Sequence, residues 1–135
     1  MRKHLLSVSF VVASALLFAS LKTAFICGPV PAKMAAESDI EQLGKAIALY
    51  GTLLDKPISQ LQDLSSLIST EPRIIQNLPK DPWGGRYQYK YLGGKTATFI
   101  VWSEGSLNSQ EGLILYSFSK QSDKYISTRL NSKLD

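Results

Sequence analysis

The chain has 135 residues, a formal net charge of +4, 44% hydrophobic residues and a single cysteine. That length supports one folded domain once an apolar N-terminal stretch is set aside, and a lone Cys27 excludes an internal disulfide. The charge excess resides in Arg2, Lys3, Lys22 and Lys33; from Met34 onward 11 basic residues face 11 acidic ones, so no phosphate-neutralising surface for nucleic acid is expected.

The basic opening MRKH leads into an uncharged apolar run, Leu5–Leu21, and apolar character resumes past Lys22 as far as Cys27. Seventeen residues is short for a bilayer span and long for the core of a cleavable signal. Ala13-Ser14-Ala15 has the small residues a signal peptidase needs, but it lies inside the run. Cuts after Ala19 or Gly28 would place Leu17 or Ile26 where a small residue belongs. Residues 1–27 are therefore read as an uncleaved membrane anchor, with export after signal cleavage as the alternative. Arg2 and Lys3 would stay on the cytoplasmic side, and the remainder would face outward. Cys27 follows the bulky Ile26, which makes it a poor lipidation site and a simple boundary residue.

Residues 28–34 form a proline-containing linker, since Pro29 and Pro31 cannot continue a helix. Residues 35–135 are the exported domain. Ala36, Ile40, Leu43, Ile47, Tyr50 and Leu54 follow at alternating spacings of four and three, the stripe of an amphipathic helix. Glu37, Asp39 and Glu41 are expected to favour its first turns, and Gly51 and Pro57 to end it. A second helix is expected over Ser59–Ser69, with Ser59 and Gln62 as a capping box and Leu61, Leu64 and either Leu67 or Ile68 as its buried face.

From Arg86 the pattern changes. RYQYKYL, ATFIVWS, GLILYSF and KYISTRL alternate and are rich in tyrosine and β-branched residues, with GG, SEGSLNSQEG and KQSD between them. Helices followed by a meander of three or four strands predict an α+β domain, one sheet face packed on the first helix. Within LPKDPWGGRYQYKYLGG, alternation puts Tyr87, Tyr89 and Tyr91 on one face of a strand. Asp81 before Pro82 suits a turn whose carboxylate accepts backbone N–H groups. This stretch reads as a structural corner rather than an aromatic binding site.

Little in the chain suggests catalysis. The sole histidine, His4, precedes the apolar run, which removes histidine-based acid–base and triad chemistry from the domain. No Cys/His set for zinc and no phosphate-binding glycine loop is present. Scattered carboxylates (Asp55, Asp63, Glu71, Asp81, Glu104, Glu111, Asp123) define no pair, so the protein is read as a non-enzyme. The loop Ser103–Gly112 offers oxygen ligands, with Ser103, Asn108 and Glu111 as weak calcium candidates. A solvated hairpin loop is the preferred reading, and no cofactor is expected.

Ala35–Gly105, with ESDIEQLGKAIALY in the helix, LPKDPWGGRYQYKY after it and a strand ending in WSEG, resembles the major pseudopilin of the type II secretion system, within the type IV pilin-like class. The specific part is Leu78, Pro79, Asp81, Pro82, Trp83 and Gly84, with Tyr87 and Tyr89 beyond; in that family such a motif joins the helical half to the sheet. The resemblance implies a pilin-like α+β fold. It also implies a single-pass inner-membrane protein with a periplasmic domain, and other pseudopilins or secretion components as partners. Two departures stand out. Members carry a glycine, cut by a prepilin peptidase, followed by Phe-Thr-Leu and an acid; here no glycine precedes Gly28 and no acid precedes Glu37. Their calcium loop reads S-x-G-x-D-G, whereas Leu107 stands at the aspartate position, so the resemblance lowers the expectation of calcium. The chain continues past the sheet with KYISTRLNSKLD, read as an added edge strand.

Overall fold

The computed structural model of the chain describes residues 28–106 and 112–131, so the apolar run of 1–27 and the loop positions Leu107, Asn108 and Glu111 lie outside the described residues. Helix α1 spans Ala32–Leu53. It starts inside the expected linker because Pro31, at φ −55° and ψ 137°, occupies the N-cap. There its missing N–H is no loss, and its carbonyl accepts the first helical bond from Ala35 N–H at 3.0 Å. The early start moves Glu37, Asp39 and Glu41 beyond the first turn, which holds no acid. Their contribution to the helix dipole is therefore smaller than expected, since the effect fades within one turn.

The stripe lies where its periodicity puts it: Ala36, Ile40, Leu43, Ile47 and Tyr50 are buried, and Leu54 packs half-buried at the helix end. The second helix is a correction. In place of Ser59–Ser69 the chain forms a 3₁₀ turn at Ile58–Gln60 and a single α turn, α2, at Ser66–Ser69. Ile58, Leu61, Leu64 and Leu67 are all buried, and their strict three-residue spacing explains the outcome. On an α-helix each such step drifts by about 60°, so four could not share one face; three-residue turns keep them together. No Ser59–Gln62 box forms. Asp63 instead accepts from Ser65 Oγ and from Ser66 N–H. Those bonds, Ser65's hydroxyl foremost, hold the Asp63 carboxyl below its ordinary value.

Four strands follow as an antiparallel meander in the order β1-β2-β3-β4: Gln88–Gly93, Thr98–Ser103, Ile114–Gln121 and Lys124–Leu130. The third runs three residues past GLILYSF, through Ser119 and the first two residues of KQSD, leaving only Ser122 and Asp123 to turn the chain. Phe99 and Val101 of β2 and Ile114 and Phe118 of β3 are buried against α1. Phe99 is the hub: its ring stacks on Phe118 at 5.0 Å and meets Tyr89 and Tyr125 at tilted angles. The result is the expected α+β arrangement of a helix on an antiparallel sheet. Among the described residues no helix is long and apolar enough to cross a membrane.

Candidate functional site

The corner is built around Asp81. Its main-chain carbonyl accepts from Gly84 N–H at 2.9 Å, closing a β-turn with Pro82 and Trp83 at the centre. One carboxylate oxygen accepts from Trp83 N–H at 3.0 Å. The other accepts from the hydroxyl of Ser103, at the end of β2. Gly84 takes a φ of +88°, a conformation few other residues tolerate. Asp81 is only 5% exposed and Ser103 not at all. A buried carboxylate with one backbone and one hydroxyl donor is a charge-assisted clamp, stronger than a neutral hydrogen bond.

Ser103 also accepts from Gly105 N–H at 3.0 Å. A chain of hydrogen bonds thus runs from the turn through Asp81 and Ser103 to the root of the loop after β2. Of the three weak calcium candidates, Ser103 has its side chain committed to the corner, and Asn108 and Glu111 lie outside the described residues. No group of three or more metal-ligating side chains occurs among the described residues. Leu78, Pro79 and Trp83 lie half-buried around the clamp, with Leu78 and Trp83 against the core.

Beyond the turn, the tyrosines tie the sheet to the helical half. Tyr87 donates to Asp39 of α1 at 2.8 Å, and Tyr89 donates to the Ile58 carbonyl at 3.3 Å. Burial pushes both hydroxyls well above the ordinary tyrosine value, and at Tyr87 the Asp39 carboxylate adds to it. The side chains face the protein interior, bonded and packed, rather than an open ligand site.

Residues 31–114 match the family described as type II secretion system (T2SS), protein G, which is the major pseudopilin. The match covers well over half the chain and has the corner inside it. The chain belongs to the type II secretion system protein G family. No curated protein and no solved structure matches it. The family match ends at Ile114, the first residue of β3, so nearly all of β3 and the whole of β4 lie beyond it.

A second feature was not foreseen from the sequence. Between α1 and β4 lies a cavity of about 300 Å³, floored by Phe118 and Gly44 and walled by Tyr125 and Ser127, with Glu41, Lys45 and Lys124 at its lining. Gly44 is there because a Cβ on it would lie 2.1 Å from the Phe118 ring. In sequence it is a single glycine inside a helical stripe. Its only available signal was that glycine weakens a helix interior and needs a packing reason.

Proposed function

We propose that this member of the protein G family is a non-catalytic subunit of the type II secretion apparatus. Residues 1–27 would hold it at the inner membrane, its domain would lie on the periplasmic side, and it would assemble with other pseudopilins into the pseudopilus. The observation that carries the proposal is the family match over residues 31–114, centred on a corner whose aspartate and tyrosines are all engaged in holding the fold. In this role the domain presents surface and rigidity, and energy for movement comes from a separate ATPase.

One observation favours a second reading. The segment before Gly28 has no glycine and no acid, so it lacks the site at which family prepilins are processed. The domain would then be a membrane-tethered or exported accessory module of the same fold that stays outside the filament. Sequencing the mature N-terminus, together with crosslinking from positions 5–27 to other pilins, separates the two. A processed N-terminus with pilin contacts supports the secretion subunit. An intact Met1 without such contacts removes it in favour of the module.

Calcium plays no part in this proposal. Leu107 replaces the family's aspartate, and Ser103 is bonded to Asp81 and Gly105. Chelation is expected to leave the thermal unfolding midpoint of the full chain unchanged; a clear drop would show that a cation stabilises the loop after all.

A further inference from the structure

Two cavities meet on the open side of α1. The one of about 300 Å³ between α1 and β4 shares Lys45, Ala48 and Tyr125 with a wider trough of about 930 Å³. The trough continues past the C-terminal end of α1 to Pro57 and to the turns before β2 and β4. Volumes of this order are those of ligand sites. Gly44 and Ala48 keep the helix side shallow, and Phe118, Tyr125 and Ile58 supply apolar surface below. Leu49, 46% exposed, carries that surface out to the rim. The non-glycine residues with left-handed backbone among those described, Asp55 at φ 49°, Ala97 at 44° and Ser122 at 55°, all stand in the turns around this trough. Glycine would turn the chain there without strain. Side chains held in such conformations are a mark of sites shaped for a purpose.

The charges of the rim say what it would hold. From Met34 onward 11 basic residues balance 11 acidic ones, yet their placement is uneven. Lys45, Lys56, Lys120 and Lys124 line the groove against Glu41, Asp55 and Asp123, and Lys95 stands in the turn beside it. The one ion pair among the described residues is Arg129–Glu37, away from this groove, so none of these lysines is neutralised by another described residue. A rim richer in cations but carrying both signs, open along its length over apolar surface, suits a polypeptide. A phosphate or lipid headgroup would be met by cations alone. We propose that this groove holds an acidic segment of a partner protein, with one apolar side chain in the cavity over Phe118 and Gly44 and carboxylates against Lys45, Lys120 and Lys124. The buried side chain would supply affinity, and the lysines would steer encounter and set the register. Asp55 and Asp123 limit where the carboxylates can lie, which disfavours a uniformly acidic chain. This site does not depend on entry into a filament.

Fluorescence anisotropy on the full chain in detergent micelles tests it, with a labelled synthetic peptide in which glutamates flank a central phenylalanine. Saturable binding is expected, lost when lysines replace the glutamates and weakened about tenfold or more when alanine replaces the phenylalanine. Lys45→Glu, an exposed change where the two cavities meet, is expected to weaken binding about tenfold. Ala48→Trp fills the groove without changing its charge and is expected to weaken it at least as much. Lys90→Glu makes the same charge change on the sheet face turned away from α1 and should leave binding unaltered. Circular dichroism establishes that each variant is folded; should Ala48→Trp fail to fold, the exposed Lys45→Glu still decides. Equal binding of the acidic and basic peptides overturns the proposal, as does an equal loss through Lys90→Glu, or no loss in either groove variant. Displacement of the peptide by a lower concentration of oleate overturns it in favour of a lipid. Self-association of the unliganded chain that Lys45→Glu abolishes also overturns it, and assigns the groove to a second copy.

Discussion

On the β1 flank of the sheet, Tyr87 reaches Asp39, Tyr89 reaches the Ile58 carbonyl, and Asp81 binds Ser103 across 22 residues of sequence. On the β4 flank the tie to α1 is the Arg129–Glu37 ion pair at 2.7 Å, with the two side chains 40% and 25% exposed, beside a cavity of about 300 Å³. The first flank is held by polar contacts that are part-buried at Tyr87 and Tyr89 and buried at Asp81, where exclusion of water strengthens them. The second relies on apolar packing through Phe118 and Gly44 and on a solvent-screened charge pair. The same helix is therefore tied by polar bonds along one side, the closed flank, and left open to a cavity along the other.

The largest effect should come from breaking the closed flank at its centre. Asp81→Ala removes the acceptor for Ser103 and Trp83 together, leaving a fully buried hydroxyl without its partner. A destabilisation of about 3–4 kcal/mol is expected, because hydrogen bonds to charged groups contribute about 1.5–3 kcal/mol each and the orphaned donor adds a penalty. For a domain of this size that lowers the thermal midpoint by well over ten degrees (roughly 4–8 °C per kcal/mol). Asp81→Asn retains an acceptor for Trp83 and should lose about half as much. A loss below about 1 kcal/mol for Asp81→Ala would show that the corner is held by its turn alone.

The open flank should give a smaller response to a well-placed change. Gly44→Val puts a branched side chain where the Phe118 ring already stands. Overpacking of this kind costs about 1–3 kcal/mol, and about 2 kcal/mol is expected in denaturant unfolding. Phe118 cannot yield freely, because it is stacked on Phe99 at an interplanar angle of 9°. An unchanged midpoint would mean that the ring swings into the adjoining cavity, and that this flank is softer than its packing suggests.

How much of this contrast the sequence carried depends on the range of the interaction. The α1 stripe, the four strands and the Asp81–Pro82 turn rest on neighbours within a few residues, where periodicity and turn chemistry operate. The segment Ile58–Leu67 was misread because a three-residue spacing can pass for a helical face over two steps and fails only at the third. Bonds between Asp81 and Ser103 and between Asp39 and Tyr87 join residues 22 and 48 positions apart, and no local pattern announces them. The α1–β4 cavity depends on where one helix lies over a sheet edge. Gly44 was the sole trace of it.

Alkaline unfolding should again separate the flanks. The folded-state pKa of Tyr87 is raised far above the ordinary value of 10.0, first by burial and then by the Asp39 carboxylate. An unfolded chain therefore ionises near pH 10 while the folded one resists. Tyr87 contributes stability that is fully present below pH 10 and is lost as pH rises beyond it. Tyr87→Phe should cost about 1 kcal/mol at neutral pH, the worth of one hydrogen bond, and should flatten the alkaline fall. A variant whose alkaline fall matches the parent would place that loss elsewhere, with Tyr89 the first candidate because burial raises it too.

The smallest effect belongs to the charge pair of the open flank. Arg129 and Glu37 meet at good distance, and both side chains reach solvent, although the Glu37 oxygen in the pair is itself buried. Exposed pairs contribute about 0.2–1 kcal/mol and are screened by salt. Arg129→Ala should therefore lower stability by about 0.5 kcal/mol at low ionic strength and by less in 0.5 M salt, at which the Debye length is about 4 Å. Salt should leave the loss in Asp81→Ala unchanged, since that carboxylate is buried away from mobile ions. Should Arg129→Ala instead cost 2 kcal/mol or more irrespective of salt, the pair would be shielded from solvent. Burial of the Glu37 oxygen within the chain is the covering that would do this.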